Sequence, residues 1–166
     1  MPIGTIIDGC CNIGELLANG YAPRIGGISA SPEDNCIIRN CYNSGTIKTT
    51  ENSSVIRVGG IVGDVFSQTT LNNCYNIGIF EIRGSVSTKG SIYANMKGNI
   101  DNCYYIKQEG FEMGGNANTS TITNSDVKTS DEMKKEDFVN LLNKNWQKFK
   151  IDNNDINNGY PVLDWQ

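Results

Sequence analysis

Six cysteines, four of them at one fixed place in a recurring phrase, have the widest chemical reach of any residues in this 166-residue chain. Cysteine supplies zinc ligands, nucleophiles and disulfides, and each use demands partners. Zinc needs a CxxC pair or histidines to complete its tetrahedron; the chain has no CxxC and no histidine. The missing histidine also removes Ser/His/Asp and Cys/His catalysis and the commonest general base near neutral pH, leaving only Ser/Lys chemistry formally open. Pairs such as Glu81 with Arg83, or Glu109 with Glu112, read as solvated surface charges. No catalytic residue, metal or cofactor is assigned, and the chain reads as a non-enzyme.

Disulfides are weighed by geometry. Cys10, Cys41, Cys74 and Cys103 lie 31, 33 and 29 residues apart. Equivalent cysteines on stacked repeats come close enough to bridge, but in register they point the same way, which favours buried free thiols. Cys11 and Cys36 are the candidates if any bridge forms. The tail Asp152-Asn153-Asn154-Asp155-Ile156-Asn157-Asn158-Gly159 invites calcium, but Ile156 stands at a ligand position and no acid occupies the twelfth. An Asx-rich turn before a final strand, Tyr160 to Trp165, fits better.

The cysteines belong to four copies of one phrase: Ile7-Asp8-Gly9-Cys10-Cys11-Asn12-Ile13-Gly14, Ile38-Arg39-Asn40-Cys41-Tyr42-Asn43-Ser44-Gly45, Leu71-Asn72-Asn73-Cys74-Tyr75-Asn76-Ile77-Gly78 and the decayed Ile100-Asp101-Asn102-Cys103-Tyr104-Tyr105. A second, glycine-centred station follows the first three: Ile25-Gly26-Gly27-Ile28, Val58-Gly59-Gly60-Ile61-Val62-Gly63 and Gly90-Ser91-Ile92-Tyr93-Ala94. Between stations, apolar residues alternate in short β-branched runs, which is a strand period. A unit of this size cannot bury its own apolar face and becomes stable by lying on its neighbour.

The sequence therefore predicts an all-β, right-handed parallel β-helix of about four coils of ~30 residues over 1–109, the length of a solenoid repeat. Stacking superposes like on like. Cys10, Cys41, Cys74 and Cys103 become an inward column, and Asn12, Asn43 and Asn76 an amide ladder. Gly14, Gly45 and Gly78 suit the bend that follows, where positive φ or a bulge favours glycine. Tyr42, Tyr75 and Tyr104 point opposite to the cysteines and line up on one flank, either as a covered stack or as an aromatic platform for a glycan.

These phrases resemble the GLUG repeat of bacterial surface and secreted proteins, most fully at Gly60-Ile61-Val62-Gly63 after Asn40-Cys41-Tyr42-Asn43-Ser44-Gly45; the resemblance covers roughly residues 5 to 105. Gly27-Ile28-Ser29-Ala30 and Ser91-Ile92-Tyr93-Ala94 depart from the glycine-bounded pattern. The resemblance implies a scaffold with a role in adhesion or display, at the cell surface or outside the cell, and brings no catalytic motif.

Residues 110–166 change character within the same structural domain. Thr129 and Glu132 have capping-box spacing ahead of a helix of about twelve residues carrying Phe138, Leu141 and Leu142 on one face, with Trp146 extending the stripe. Such a helix is expected to cap the open end of the solenoid, with the short terminal strand tucking Tyr160, Val162 and Trp165 against the last coil.

With 38% hydrophobic and 19% charged residues the chain suits one ordered domain, and a net charge of −4 leaves no basic face for nucleic acid. No run of about 20 apolar residues is present to insert into a membrane. No signal peptide precedes the first repeat, so the sequence reads as a fragment of a longer chain, as a monomer or in end-to-end association. Two functions remain: a non-catalytic stalk and adhesion module whose contacts with host or matrix glycan or protein use the flank or the loops at 15–24, 46–57 and 79–89, or an accessory domain of a larger extracellular peptidase or glycosidase.

Overall fold

Because the alternating runs recur at near-constant spacing, the strands they form recur too, each lying in register on its predecessor. In the computed structural model, which describes residues 4–166, the first coil contributes β1 (Ile6–Asp8), β2 (Cys11–Asn12), β3 (Leu16–Ala18) and β4 (Arg24–Gly26). The second contributes β5 (Cys36–Arg39), β6 (Tyr42–Asn43), β7 (Ile47–Thr49) and β8 (Ile56–Gly59). The third contributes β9 (Val62–Asn72), β10 (Tyr75–Asn76), β11 (Phe80–Glu81) and β12 (Val86–Gly90). Two partial coils follow, β13 (Tyr93–Asp101) with β14 (Tyr104–Ile106), and β15 (Gly114–Thr123) with β16 (Asp126–Lys128).

The strands assemble into four parallel sheets, ordered β1-β5-β9-β13-β15, β2-β6-β10-β14-β16, β3-β7-β11 and β4-β8-β12. This is a parallel β-solenoid. It has three complete windings and two partial ones, rather than four equal coils. The reason lies after the fourth phrase, where Gln108 cuts across the third sheet. Its side chain donates to the Gly78 carbonyl at 2.7 Å and accepts from the Phe80 amide at 3.1 Å, while Phe111 stacks on Phe80 with ring centroids 4.1 Å apart. That crossing closes the third sheet, and the chain returns to the first as β15.

Register builds the interior. Ile38, Leu71 and Ile100 are successive Cα partners and are fully buried. Beside them Cys41, Cys74 and Cys103 sit in the same apolar cluster, with Ile61, Ile92 and Tyr105. Cys10, on the first of the described coils, is exposed. All six thiols are free, Cys11 and Cys36 included. A second cluster, around Ile25, Ile47, Ile56, Val58 and Phe111, fills the other half of the cross-section.

Of the glycines expected to sit at bends of positive φ or at a bulge, Gly45 and Gly78 are required by crowding and have no positive φ, whereas Gly14 has room for a Cβ. A Cβ at Gly45 would overlap the Gly14 carbonyl and the Asn12 amide, and one at Gly60 would overlap the Ser91 carbonyl and the Asn76 amide. Neither neighbour yields cheaply, since each is backbone or part of a ladder.

The C-terminal segment departs from the capping expectation in both form and place. Thr129 and Glu132 make both bonds of the capping box, but the helix they open, α1 (Ser130–Met133), stops after one turn. Lys135 is extended and begins α2 (Glu136–Leu142). A continuous helix would turn Met133 roughly 140° away from Phe138. The break puts Met133, Phe138 and Leu142 into one cluster, all of them buried. Trp146 lies beyond α2, with Arg39 of the second coil over its ring at 5.1 Å.

After α2 come β17 (Phe149–Lys150) and β18 (Val162–Leu163), an antiparallel pair. Instead of covering an end, this segment runs along the flank of the β2-β6-β10-β14-β16 sheet. Asn102 of the fourth coil donates to Leu141 O at 2.9 Å, and Asn157 donates to the Tyr75 hydroxyl of the third at 2.9 Å. Tyr42 of the second coil donates to Gln166 at 2.9 Å, and the Trp165 indole donates to the Gly9 carbonyl of the first at 3.2 Å. It is a strap running lengthwise, and its end meets the first coil instead of the last.

A buried charge in the thiol column and a side chain at a crowded corner are expected to be the two most damaging changes. Cys74→Asp should lose more than about 4 kcal/mol and Cys74→Ser about 1–2 kcal/mol. Gly60→Val should melt well below wild type, with exposed Lys97→Ala as control. Equal melting temperatures for all four variants would contradict the stacked interior.

Candidate functional site

The repeated polar residues were the first candidates, and the structure turns most of them toward one another. Asn12 donates to Asn43, and Asn43 to Asn76, each at 2.8 Å. Each carbonyl oxygen also accepts from the glycine amide two residues on, at 3.2, 3.2 and 3.1 Å. The amide ladder expected at 12, 43 and 76 is therefore present as a set of stacked Asx turns. It stops at Asn76, because the next coil has Tyr105 in register. The buried Asn76 Nδ2 is left with no hydrogen-bond partner.

A second ladder went unnoticed in the sequence. Asn102 donates to Asn73 at 2.5 Å, Asn73 to Asn40 at 3.1 Å, and Asn40 to the Asp8 carboxylate at 2.7 Å. These three asparagines have φ of 55°, 51° and 52°, a left-handed corner that asparagine tolerates. The signal was visible, since an asparagine precedes Cys41, Cys74 and Cys103 alike. Asp8 ends the ladder with Arg39 beside it at 2.8 Å. Burial pulls the Asp8 pKa up, but the bonds from Asn40 and Arg39 and the Arg39 charge outweigh that and hold it below the usual value.

The thiols are chemically quiet. Cys41, Cys74 and Cys103 each point back at the carbonyl two residues earlier, at 3.0, 3.2 and 3.4 Å. Hydrogen bonding with Cys74, then burial, pushes the Cys41 thiol far up; burial is the chief cause at Cys74. A group held as the neutral thiol is a poor nucleophile.

Tyr42, Tyr75 and Tyr104 do form one column, with Cys11 preceding them in register, but they do not form an exposed platform. Tyr42 and Tyr75 are fully buried and Tyr104 nearly so. The first two rings stack at 5.0 Å, and Phe138 meets Tyr75 and Tyr104 edge-on at 5.9 and 5.4 Å. The strap occupies the face a glycan would need. Its loop is itself pinned: the Asp152 carboxylate accepts from the amides of Ile156, Asn157 and Gly159 at 2.9, 2.7 and 3.1 Å. The Asp152 oxygens offered to calcium in the sequence reading are thus engaged by backbone.

One open surface is the outer side of the β3-β7-β11 sheet with the neighbouring loops. A groove of about 540 Å³ runs there between Leu17, Lys48, Glu51, Glu81 and Arg83. Lys48 bridges Glu15 at 2.8 Å and Glu81 at 3.2 Å, one pair to each adjacent coil. These residues belong to the variable loops at 15–24, 46–57 and 79–89. A second polar arrangement escaped sequence reading: Asp64, fully buried, faces Arg24 and Arg57 at 3.0 and 3.4 Å. Its signal was the arginine preceding Ile25-Gly26-Gly27 and again Val58-Gly59-Gly60. Among the described residues, no group of three or more Cys, Asp or Glu side chains is placed to hold a metal ion.

No family model, curated protein or solved structure matches the chain.

The covered tyrosine column makes a pH prediction. Burial raises the phenol of Tyr104 to about 12, and those of Tyr42 and Tyr75 rise as well. A raised folded pKa contributes stability that is complete below the unfolded value near 10 and lost as pH rises through the folded value. Tyrosinate absorbance should therefore show a step near pH 12 that Tyr104→Phe removes, accompanied by loss of the strap's amide protection. Ionisation of Tyr104 near pH 10 with the fold intact would contradict the covered flank.

Proposed function

We propose that this chain is a non-catalytic module of a bacterial cell-surface or secreted protein, serving as a stiff stalk that carries an adhesive surface. One observation carries the reading: the repeated cysteines, asparagines and tyrosines are engaged by neighbouring coils or by the strap, so the repeat builds a rod and leaves recognition to the loops. The resemblance of the Cys-Tyr-Asn and Gly-Ile-Val-Gly phrases to GLUG repeats supports the same location and role. Absence of histidine, and neutralisation of the buried Asp64 by two arginines, favour a non-enzyme.

The contact surface assigned to adhesion is the groove flanked by Leu17, Lys48 and Arg83, with host or matrix glycan or protein as partner. Interface energy concentrates in a few side chains, so removing three should be decisive. Beads coated with the protein should be retained on epithelial monolayers above albumin-coated beads. The triple variant Leu17→Ala, Lys48→Ala, Arg83→Ala should lose about half or more of that retention with its melting temperature little changed. Wild-type beads no stickier than albumin would remove the adhesive part of the reading.

A further inference from the structure

A buried carboxylate is costly unless its oxygens are paired, and Asp64 is paired from three coils. Arg24 Nε reaches Oδ2 at 3.0 Å, Arg57 Nε reaches the same oxygen at 3.4 Å, and Asn95 donates to Oδ1 at 2.8 Å. Arg24 and Arg57 are Cα partners on β4 and β8, so their backbones lie one strand spacing apart, ~4.8 Å, and both side chains converge on the same Asp64 oxygen. Two cations share one anion. The cluster keeps an excess positive charge, and each arginine has four N–H donors beyond the Nε that Asp64 engages.

The strand beside this pair is altered in a way that exposes an aromatic ring. Asp64 pairs with Asn95 and Gln68 with Lys97, so β9 carries two more residues than β13 between those rungs. Such a bulge re-aims side chains outward. Phe66 lies within it and is 68% exposed, with the Arg24 guanidinium over its ring at 5.0 Å. Nothing in the stacking of coils calls for an exposed phenylalanine there.

We propose that Arg24, Arg57 and Phe66 form a binding site for an acidic saccharide, the two guanidiniums taking the carboxylate or sulfate of a sugar and the phenyl ring taking its C–H face. Guanidinium forks pair in bidentate fashion with a carboxylate or with two oxygens of a sulfate, and here they are held in place before the ligand arrives. Asp64 is a positioning residue, fixing both arginines from below. A peptide is a poorer fit. Extended peptides bind by pairing with a strand edge; β9, which carries Phe66, and β8, which carries Arg57, are interior to their sheets, and only β4, which carries Arg24, lies at an edge. The site shares no lining residue with the groove around Lys48, and its failure leaves the stalk reading intact.

The test is titration of the ¹⁵N-labelled chain with trigalacturonate, with its fully methyl-esterified form, with sulfated galactobiose and with inorganic sulfate. Trigalacturonate or the sulfated sugar should shift the amides of Arg24, Arg57 and Phe66 with saturation, the ester should not, and inorganic sulfate should bind about tenfold more weakly for lack of a ring to stack. Whichever acidic sugar binds identifies the anion class. Arg57→Gln should weaken binding about tenfold. Phe66→Ala, which removes an exposed side chain and leaves the Asp64 pairs intact, should weaken the sugar and leave sulfate unchanged; its melting temperature checks the fold. Equal binding of ester and acid, equal binding of sulfate and sugar, or no saturable shift with either acidic sugar would each overturn the proposal.

Discussion

In-register parallel pairing imposes one constraint on everything else: a side chain on one coil must tolerate a near-copy of itself one strand spacing above and below. Few residues satisfy it. Carboxylates and amines repel their copies, whereas a primary amide is self-complementary, donating on one side and accepting on the other. The two asparagine ladders use this property in opposite directions. In the ladder at 12, 43 and 76 the donor faces the following coil; in the one at 40, 73 and 102 it faces the preceding coil. Polarity decides how each ends. The second begins on the Asp8 carboxylate and finishes with Asn102 accepting from the Tyr104 hydroxyl at 2.8 Å, so both ends are satisfied. The first runs out at Asn76, where the buried donor without a partner lies against Gly60.

The same constraint explains why the tyrosine flank needs a cover. Stacked phenol rings tolerate one another, but they present a wide apolar face and a row of hydroxyls, and each buried hydroxyl must find a partner. The strap supplies both. Met133, Phe138, Leu142 and Phe149 cover the rings, while Gln166, Pro161 and Asn157 serve the hydroxyls of Tyr42 and Tyr75. Since its contacts run from the fourth coil back to the first, the strap ties together windings that otherwise touch only their neighbours. A solenoid is close to one-dimensional in its energetics, and a lengthwise tie of this kind makes separate fraying of coils more costly.

What was legible from the sequence is what repeats. The stacked strands, the inward thiols and the ladder at Asn12, Asn43 and Asn76 follow from spacing alone, because recurrence in the chain becomes superposition in space. Non-repeating contacts left weaker traces. The capping box at Thr129 was readable, being local, but the break at Lys135 comes from burying Met133 together with Phe138, which is a tertiary demand. Likewise the run Ser54 to Val58 reads as continuous strand, yet Val55 has φ of 57° at the corner it shares with Ala22, at 53°. A β-branched residue is unfavourable in that conformation, so its own preference pointed the wrong way.

Departures from the repeat are where side chains escape engagement by like neighbours in a molecule of this construction. A column of identical residues presents the same chemistry at every coil and is already engaged by its neighbours. The column through Arg24 and Arg57 ends at Thr88, and the one through Asp64 continues as Asn95, so neither keeps the likeness that pure stacking would maintain. Two stacked arginines are unfavourable by the rule that governs the ladders, and they are tolerated because Asp64, drawn from the next strand, lies between their charges. Asp64 thereby converts a repulsive column into a fixed pair of forks, and the bulge that carries Phe66 sits two residues beyond it on the same strand. A stacking defect, its compensation and an exposed aromatic ring occupying one corner form a local exception to the fold's own rule.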